Sequence, residues 1–403
     1  MSNSQRLQVP PLSLYVHIPW CVRKCPYCDF NSHQKNGELP ESEYIDALLR
    51  DFMDDLPWIH AQGQGREIGS IFFGGGTPSL FSARAYERLL NGLLQHVRFA
   101  TDIEITLEAN PGTAERDKFA DYRRAGINRL SIGIQSFDDA QLQNLGRIHG
   151  SNDGRRAIEF ARQAGFDNLN VDIMYGLKEQ SLGAALADLE AAISFAPEHL
   201  SWYQLTIEPN TEFFKRPPAL PPEDELNDIQ EGGLALLAQY GYARYEVSAF
   251  ARAGRRSRHN LNYWRFGDYL GIGAGAHGKI TLAPSSSALS TLTQQNQILR
   301  TRKTRQPGHY LEAARSLLPT PFRAESTAIA TADLPLEFML NVLRLQEGFT
   351  AAQFEAATGL GFEVVQKQVE SLQNKALLIE EGGVIRPTEK GQQFLNSVLE
   401  EFL

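Results

Sequence analysis

Apolar positions in the first half of the chain fall into two alternating patterns. Short runs rich in β-branched and aromatic residues stand at LSLYVHI (12–18), SIFF (70–73), IEITLE (103–108), RLSIGI (129–134), NLNVDIM (168–174) and LSWYQLTI (200–207). Between them lie stretches of helical period, among them 42–56, 83–97 and 183–196. Strands separated by amphipathic helices predict βαβ units with right-handed crossovers, and hence a parallel sheet. The six runs predict an α/β fold built as a partial (β/α)6 TIM-like barrel. In such a barrel the chemistry collects at the carboxyl ends of the strands. The polar and glycine-rich positions sit there: Cys21 after the first run, Gly74-Gly75-Gly76-Thr77 after the second and Glu108 at the end of the third. Gln135 follows the fourth, Asp172 lies in the fifth and Glu208 follows the sixth.

Beyond residue 210 the pattern changes. Residues 211–280 read as an extension with a Pro-rich loop (217–222), a helix near 224–239 and a strand-like YARYEVSAF (242–250). Residues 281–324 form a polar and basic connecting segment, in which SSSALSTLTQQNQ precedes Arg300, Arg302, Lys303 and Arg305. Much of it is expected to be surface excursion. From 325 to 403 a helix (336–346), further helical periods, a hairpin at Gly382-Gly383 and a final helix (388–401) predict a smaller winged-helix-like α+β domain. Three segments result: 1–280, 281–324 and 325–403. Winged helices often bind DNA, yet residues 321–403 hold six Lys/Arg against twelve Asp/Glu. That sign favours a packing or partner-contact role.

Composition narrows the classes further. A chain of 403 residues exceeds one core of about 250–300 residues and accommodates a second, smaller domain. A net charge of −9 argues against a partner held by phosphate neutralisation, so no nucleic acid is expected. No apolar run is long enough to span a bilayer and the first residues lack a signal-peptide pattern, so a cytoplasmic protein is expected. All three cysteines lie within eight residues, which points to metal or redox chemistry rather than a disulfide framework.

Cys21-Val-Arg-Lys-Cys25-Pro-Tyr-Cys28 is a C-x3-C-x2-C run on a loop leaving a strand. A loop can direct three such thiolates into one concavity around a small cubane. Cubanes usually take four cysteines, and this chain has no fourth. One iron of a [4Fe–4S] cluster would then be open to an exogenous amino-carboxylate chelator. A zinc site completed by His17 or His33 is the alternative, with an unusual ligand spacing.

YVHIPWCVRKCPYCDF, followed by GGGTPS, resembles the radical-SAM superfamily, and within it the oxygen-independent coproporphyrinogen III oxidase group. The resemblance extends over nearly the whole chain. It implies a [4Fe–4S] cluster on Cys21, Cys25 and Cys28 and a site for S-adenosylmethionine (SAM). In that site Tyr15 and Tyr27 would lie near the cluster, and Gly75, Gly76 and Thr77 would face the methionine moiety. Glu108, Gln135, Arg147 and Asp172 would contact the rest, with Thr206 and Gly273–Gly275 as weaker candidates. GIGAGAHG (271–278) lacks the strand–turn–helix context and following acid of a dinucleotide fingerprint, and is not read as one.

The same group contains coproporphyrinogen dehydrogenases and a branch thought to be haem chaperones. The enzymes carry a fourth cysteine two residues after the third, where this chain has Phe30, and a longer segment before the cluster. His259-Asn260-Leu261-Asn262-Tyr263-Trp264 matches the HNxxYW signature of the chaperone branch. The resemblance therefore implies haem as a ligand and an apo-haemoprotein, such as a membrane respiratory enzyme, as recipient. A radical enzyme acting on a tetrapyrrole is the alternative. His259 would supply an axial imidazole, with His277, His149 and His17 as other candidates. Tyr263 and Trp264 would face the macrocycle, and Arg252, Arg255, Arg256 and Arg258 would meet the propionates. Read without the resemblance, HNxxYW is equally a structural corner.

Overall fold

The structure is a computed structural model that describes residues 7–60, 65–113, 116–282 and 297–403. Strands β1 (Leu12–Ile18), β2 (Ile68–Gly75), β3 (Phe99–Ala109), β4 (Arg129–Gln135), β5 (Leu169–Tyr175) and β6 (His199–Gln204) pair in parallel in that order. The crossovers are α1 (Glu41–His60), α2 (Ala83–Leu94), α3 (Arg116–Arg124), α4 (Ser151–Gln163) and α5 (Leu182–Ser194). Helix α6 (Glu223–Gln239) packs beside α5. This is the predicted partial (β/α)6 barrel. Its strands are buried on both faces, as β1 shows with six of seven residues buried, because helices cover one side and the barrel interior the other.

The barrel strands belong to a twelve-stranded sheet. Short strands Ala249–Ala251 and Ala243–Arg244, from the strand-like 242–250 run, extend it beyond β6. Helix α7 (Arg258–Trp264) follows. On the other side of β1 lies β7 (Asp268–Ile272), also parallel to it. Strands β8 (His277–Leu282), β9 (Gln297–Lys303) and β10 (Arg323–Ala328) then continue antiparallel. GIGAGAHG is thus the end of β7, a turn and the start of β8, with Gly273 and Gly275 at φ of +103° and +80°.

The connecting segment departs from expectation. Its Ser/Thr-rich part, 283–296, lies outside the described residues, but Arg300, Arg302 and Lys303 stand on a sheet strand rather than a surface excursion. Lys303 is buried with its ammonium on the carboxylates of Asp51 and Asp55 of α1. Arg323 adds a second cation at 2.7 Å from Asp55. Polar composition misled here because the charge of Lys303 is neutralised inside the fold, although Arg302 on the same strand stays exposed. Asp268, at the opposite end of the sheet, similarly takes Arg66 at 2.8 Å and Lys279 at 2.9 Å.

The C-terminal unit runs helix (Leu334–Val342), strand (Phe349–Thr350), helices (Ala351–Thr358, Gln366–Asn374) and hairpin (Leu378–Glu381, Val384–Pro387). That is a winged-helix order, with all three strands in one small sheet. Its core of Phe338, Met339, Phe349, Phe354 and Leu372 also takes in Phe266 and Ile298 from the main body.

Replacing Lys303 by Met should leave two buried carboxylates facing one remaining arginine. A loss of roughly 3–5 kcal/mol in urea denaturation is expected, and a loss under about 1 kcal/mol would refute the role given to this ion cluster.

Candidate functional site

The cysteine loop leaves β1 at Pro19 and is held at both ends. Trp20-Cys21 pairs with His33-Gln34, and the Lys35 amide donates to the Cys21 carbonyl at 2.8 Å. Cys21, Cys25 and Cys28 line one cavity of about 330 Å³, Cys21 buried and the other two half-buried. Burial pushes the Cys21 and Cys28 thiols above their ordinary range. Among the described residues, no three His, Cys, Asp or Glu side chains converge to hold a single metal ion. A cubane asks for something else: each thiolate takes a different iron. The soft donor set around one concavity suits that group.

Gly75, Gly76 and Thr77 reach the same cavity from the end of β2. Gly75 has φ of +113°, and a Cβ there would lie 2.5 Å from the His17 ring. A Cβ on Gly76 would meet the Trp20 carbonyl oxygen at 2.6 Å. Glycine is therefore required for this turn to run against the cysteine loop, where the Gly76 and Thr77 amides donate to Ile18 and Trp20. The backbone so exposed forms one wall of the cavity.

The opposite wall is built by strand register. Glu108 pairs with Ser131, and Asp172 pairs with Gly133 and Ser201, so both acids face one space. The Gly75 amide donates to Glu108 at 3.3 Å, while Asn170 and Ser131 donate to Asp172 at 2.7 and 3.3 Å. Burial, then the charge of Asp172, pushes the Glu108 carboxyl up to about 8; burial also raises Asp172. Gln135 closes β4 with φ of +73°, a strained position for a residue with a Cβ. Its side chain accepts the Tyr203 hydroxyl at 2.7 Å. Arg147 lies 3.5 Å from both the Cys25 sulfur and the Tyr27 hydroxyl, and its buried Nε has no partner among the described residues. An orphaned donor lining one cavity with two acids suits a polar ligand carrying both carboxylate and amine.

Two expected residues fall elsewhere. Thr206 is exposed, bonded to Glu208 at 2.9 Å, and outside the cavity, because β6 ends at Gln204. Tyr15 hydrogen-bonds His17 at 2.9 Å and lines a neighbouring cavity instead. Of the Gly273–Gly275 stretch, only Gly275 lines a cavity, and it is this second one. Ser131, Ser201 and Tyr203 line the first cavity without having been singled out. Their signal was present: 131, 133 and 135, like 201 and 203, are alternate strand positions that share one face.

The second cavity, about 770 Å³, lies beside the first, and Phe30 lines both. His259, Tyr263, Tyr269 and His277 line it with Tyr15 and His17. The Glu104 carboxylate receives the amides of Arg258 and His259 at 3.0 and 3.3 Å, fixing the start of α7. His259 stacks on Phe72 at 4.5 Å, its buried Nδ1 has no partner among the described residues, and burial lowers its pKa to about 4. Within HNxxYW, Tyr263 shares this cavity with His259, whereas two other positions serve the frame. Asn262 donates to the Asp268 carbonyl at 2.8 Å, and Trp264 packs under Arg344 of the C-terminal unit at 4.3 Å, away from the cavity. The expected arginine run is absent too. Arg256 pairs with Glu347, Arg258 with Asp102, and Arg252 lies over Tyr242. None of the four, Arg255 included, lines the cavity. His149 lines neither cavity, and both ring nitrogens of His17 are engaged, with Tyr15 and Asn31.

Residues 15–192 match the Radical SAM superfamily and residues 329–394 the HemN C-terminal domain. The chain is 50% identical to the heme chaperone HemW of Escherichia coli, covering 98% of this chain and 99% of that protein. The HemW of Haemophilus influenzae is 47% identical over 98% of this chain and 99% of its own length. This chain belongs to the HemW family of radical-SAM proteins. Membership of the superfamily implies a [4Fe–4S] cluster and SAM. A mitochondrial radical S-adenosyl methionine domain-containing protein 1 of Bos taurus is also similar, 34% identical over 96% of this chain and 86% of its length. In structure, the chain superposes on the coproporphyrinogen III oxidase HemN of Escherichia coli with a TM-score of 0.79 at 23% identity, covering 99% of this chain and 91% of that one. That likeness speaks for the fold. No helix among the described residues is long and apolar enough to cross a membrane.

Glu108 in this HemW-family fold gives a pH test. With its folded pKa raised to about 8, the folded state binds more protons than the unfolded state between the ordinary carboxyl range and that value. Stability of the ligand-free protein should therefore fall as pH rises through that window. Glu108→Gln should melt higher than wild type near pH 8 and about equally near pH 4. Equal melting at both would remove the buried-acid reading.

Proposed function

We propose that this chain is a cytoplasmic haem chaperone. It carries a [4Fe–4S] cluster on Cys21, Cys25 and Cys28, holds SAM beside it, and binds haem in the neighbouring cavity. From there it passes haem to an apo-haemoprotein such as a membrane respiratory enzyme. The observation that carries this reading is the second cavity. Its volume, about 770 Å³, suits a ligand larger than SAM, and it presents histidines and tyrosines suited to a flat iron macrocycle.

When bound, the cluster and SAM supply one-electron chemistry, which belongs to those groups. The chain's own part is to position. The Gly75–Gly76 backbone would approach the methionine end of SAM, with Glu108 and Arg147 as partners for its amine and carboxylate. Asp172 would take ribose hydroxyls, and Gln135, Thr77 and Tyr27 would enclose the rest. Around haem, His259 would be the axial ligand. Its imidazole is neutral at physiological pH, held by stacking on Phe72 and opening on the cavity, whereas His17 has no free nitrogen. Phe30 supports a chaperone over a dehydrogenase, because a hydrophobic ring stands where a further thiolate would be needed.

Anaerobic titration of the cluster-loaded protein with haem should give a Soret band, and His259→Ala should weaken binding by about tenfold or more. Replacing any one of the three cysteines by Ser should remove the cluster absorbance. Absence of a Soret shift, or conversion of coproporphyrinogen III to protoporphyrinogen IX by the same sample, would turn the reading toward a radical enzyme.

A further inference from the structure

None of the arginines expected to hold the propionates lines the second cavity, yet a macrocycle bearing two carboxylates needs cationic partners where its edge meets solvent. The second cavity has two such groups, and neither comes from the HNxxYW neighbourhood. Arg302 and Arg305 line it from β9 and from the turn after that strand. Antiparallel pairing places His277 directly opposite Arg302, and His277 is exposed, so this rim is the outer edge of the cavity. Deeper positions are aromatic: His259 and Tyr15 stand 6.3 Å apart, and Tyr263 and Tyr269 4.7 Å apart.

The two guanidinium groups differ in how they are engaged. Among the described residues Arg305 donates its Nε to Asn31 Oδ1 at 3.1 Å and pairs with no carboxylate. Arg302 is shared with Glu325 through Nε and Nη2 at 3.2 and 3.0 Å, leaving Nη1 for another acceptor. Asn31 also donates to the Ala274 and Arg305 carbonyls, both at 2.9 Å. A Cβ on Gly275 would fall 2.3 Å from its amide. The cysteine loop and the β7–β8 turn are thereby locked together, and Arg305 is held with its remaining donors at the mouth. Asp29 also lines the cavity and would repel an anion placed beside it. The carboxylates therefore belong at the Arg302–Arg305 rim.

Resting on the haem reading above, we propose that Arg302 and Arg305 are the carboxylate anchors of the second cavity. A dicarboxylate tetrapyrrole enters apolar edge first, with one face toward His259 and its propionates on this rim. Glu325 competes with the ligand for Arg302. Planar guanidinium groups match carboxylates two donors at a time, so each anchor contributes a charge-assisted pair.

The test uses the full-length, cluster-loaded protein, with cluster absorbance as the check that each variant is intact. Arg302→Gln and Arg305→Gln should each raise the Kd for haem by about tenfold, and the double variant by more. Glu325→Gln should lower it, because it frees Arg302. Haem dimethyl ester should bind wild type as weakly as the double variant binds haem, and should be indifferent to the arginine substitutions. Haem binding by wild type with an unchanged Kd in the double variant, or an ester that binds as tightly as haem, would overturn the anchors alone. No haem binding by wild type would overturn the chaperone reading, and the anchors with it.

Discussion

Strand β1 is paired in parallel on both sides, with β2 on one flank and β7 on the other. Everything at the functional end of the molecule is hung from that double pairing. Its register with β2 brings His17 beside Gly74 and Ile18 beside Gly75, so the GGGT turn must pass under the cysteine loop. Its register with β7 ends at Val16 and Ile272, after which the chain turns at once into β8. The two cavities are the spaces left on either side of this one strand's carboxyl end.

The cost of that arrangement is polar burial, and the fold meets it unevenly. Where charge serves the frame it is closed: Lys303 and Arg323 together balance Asp51 and Asp55, and Asp268 takes Lys279 and Arg66. Around the first cavity it is left open. Glu108 and Asp172 share a space with a single amide or a few hydroxyl and amide donors, and Arg147 keeps an unmatched Nε. Such groups are expensive to bury without a partner. Their concentration around three thiols separates a site from a packing defect.

Coupling between the two cavities has a short physical route. Cys28 lines the first, Asp29 and Asn31 the second, and Phe30 both. Asn31 then ties this loop to the β7–β8 turn and to Arg305. A shift of the cysteine loop cannot leave the second cavity unchanged, since only a few bonded residues lie between them.

Local pattern alone determined the strands β1 to β6, the crossover helices, and the collection of Cys21, Gly75, Glu108, Gln135 and Asp172 at strand ends. These follow from periodicities of two and 3.6 residues, which neighbouring positions set without reference to the rest of the chain. The extent of the sheet was not legible in that way. Polar, arginine-rich 297–303 became a strand because Asp51 and Asp55, some 250 residues earlier, neutralise Lys303. The same long-range pairing decided which cations reach the second cavity. Arg252 to Arg258 adjoin His259 in sequence but stay out of the cavity, Arg256 and Arg258 on other acids and Arg252 over Tyr242, while Arg302 and Arg305 arrive through β8 and β9. Adjacency along a chain fixes backbone direction for a few residues only; which side chains share a cavity is set by strand register and by the charges that packing must neutralise.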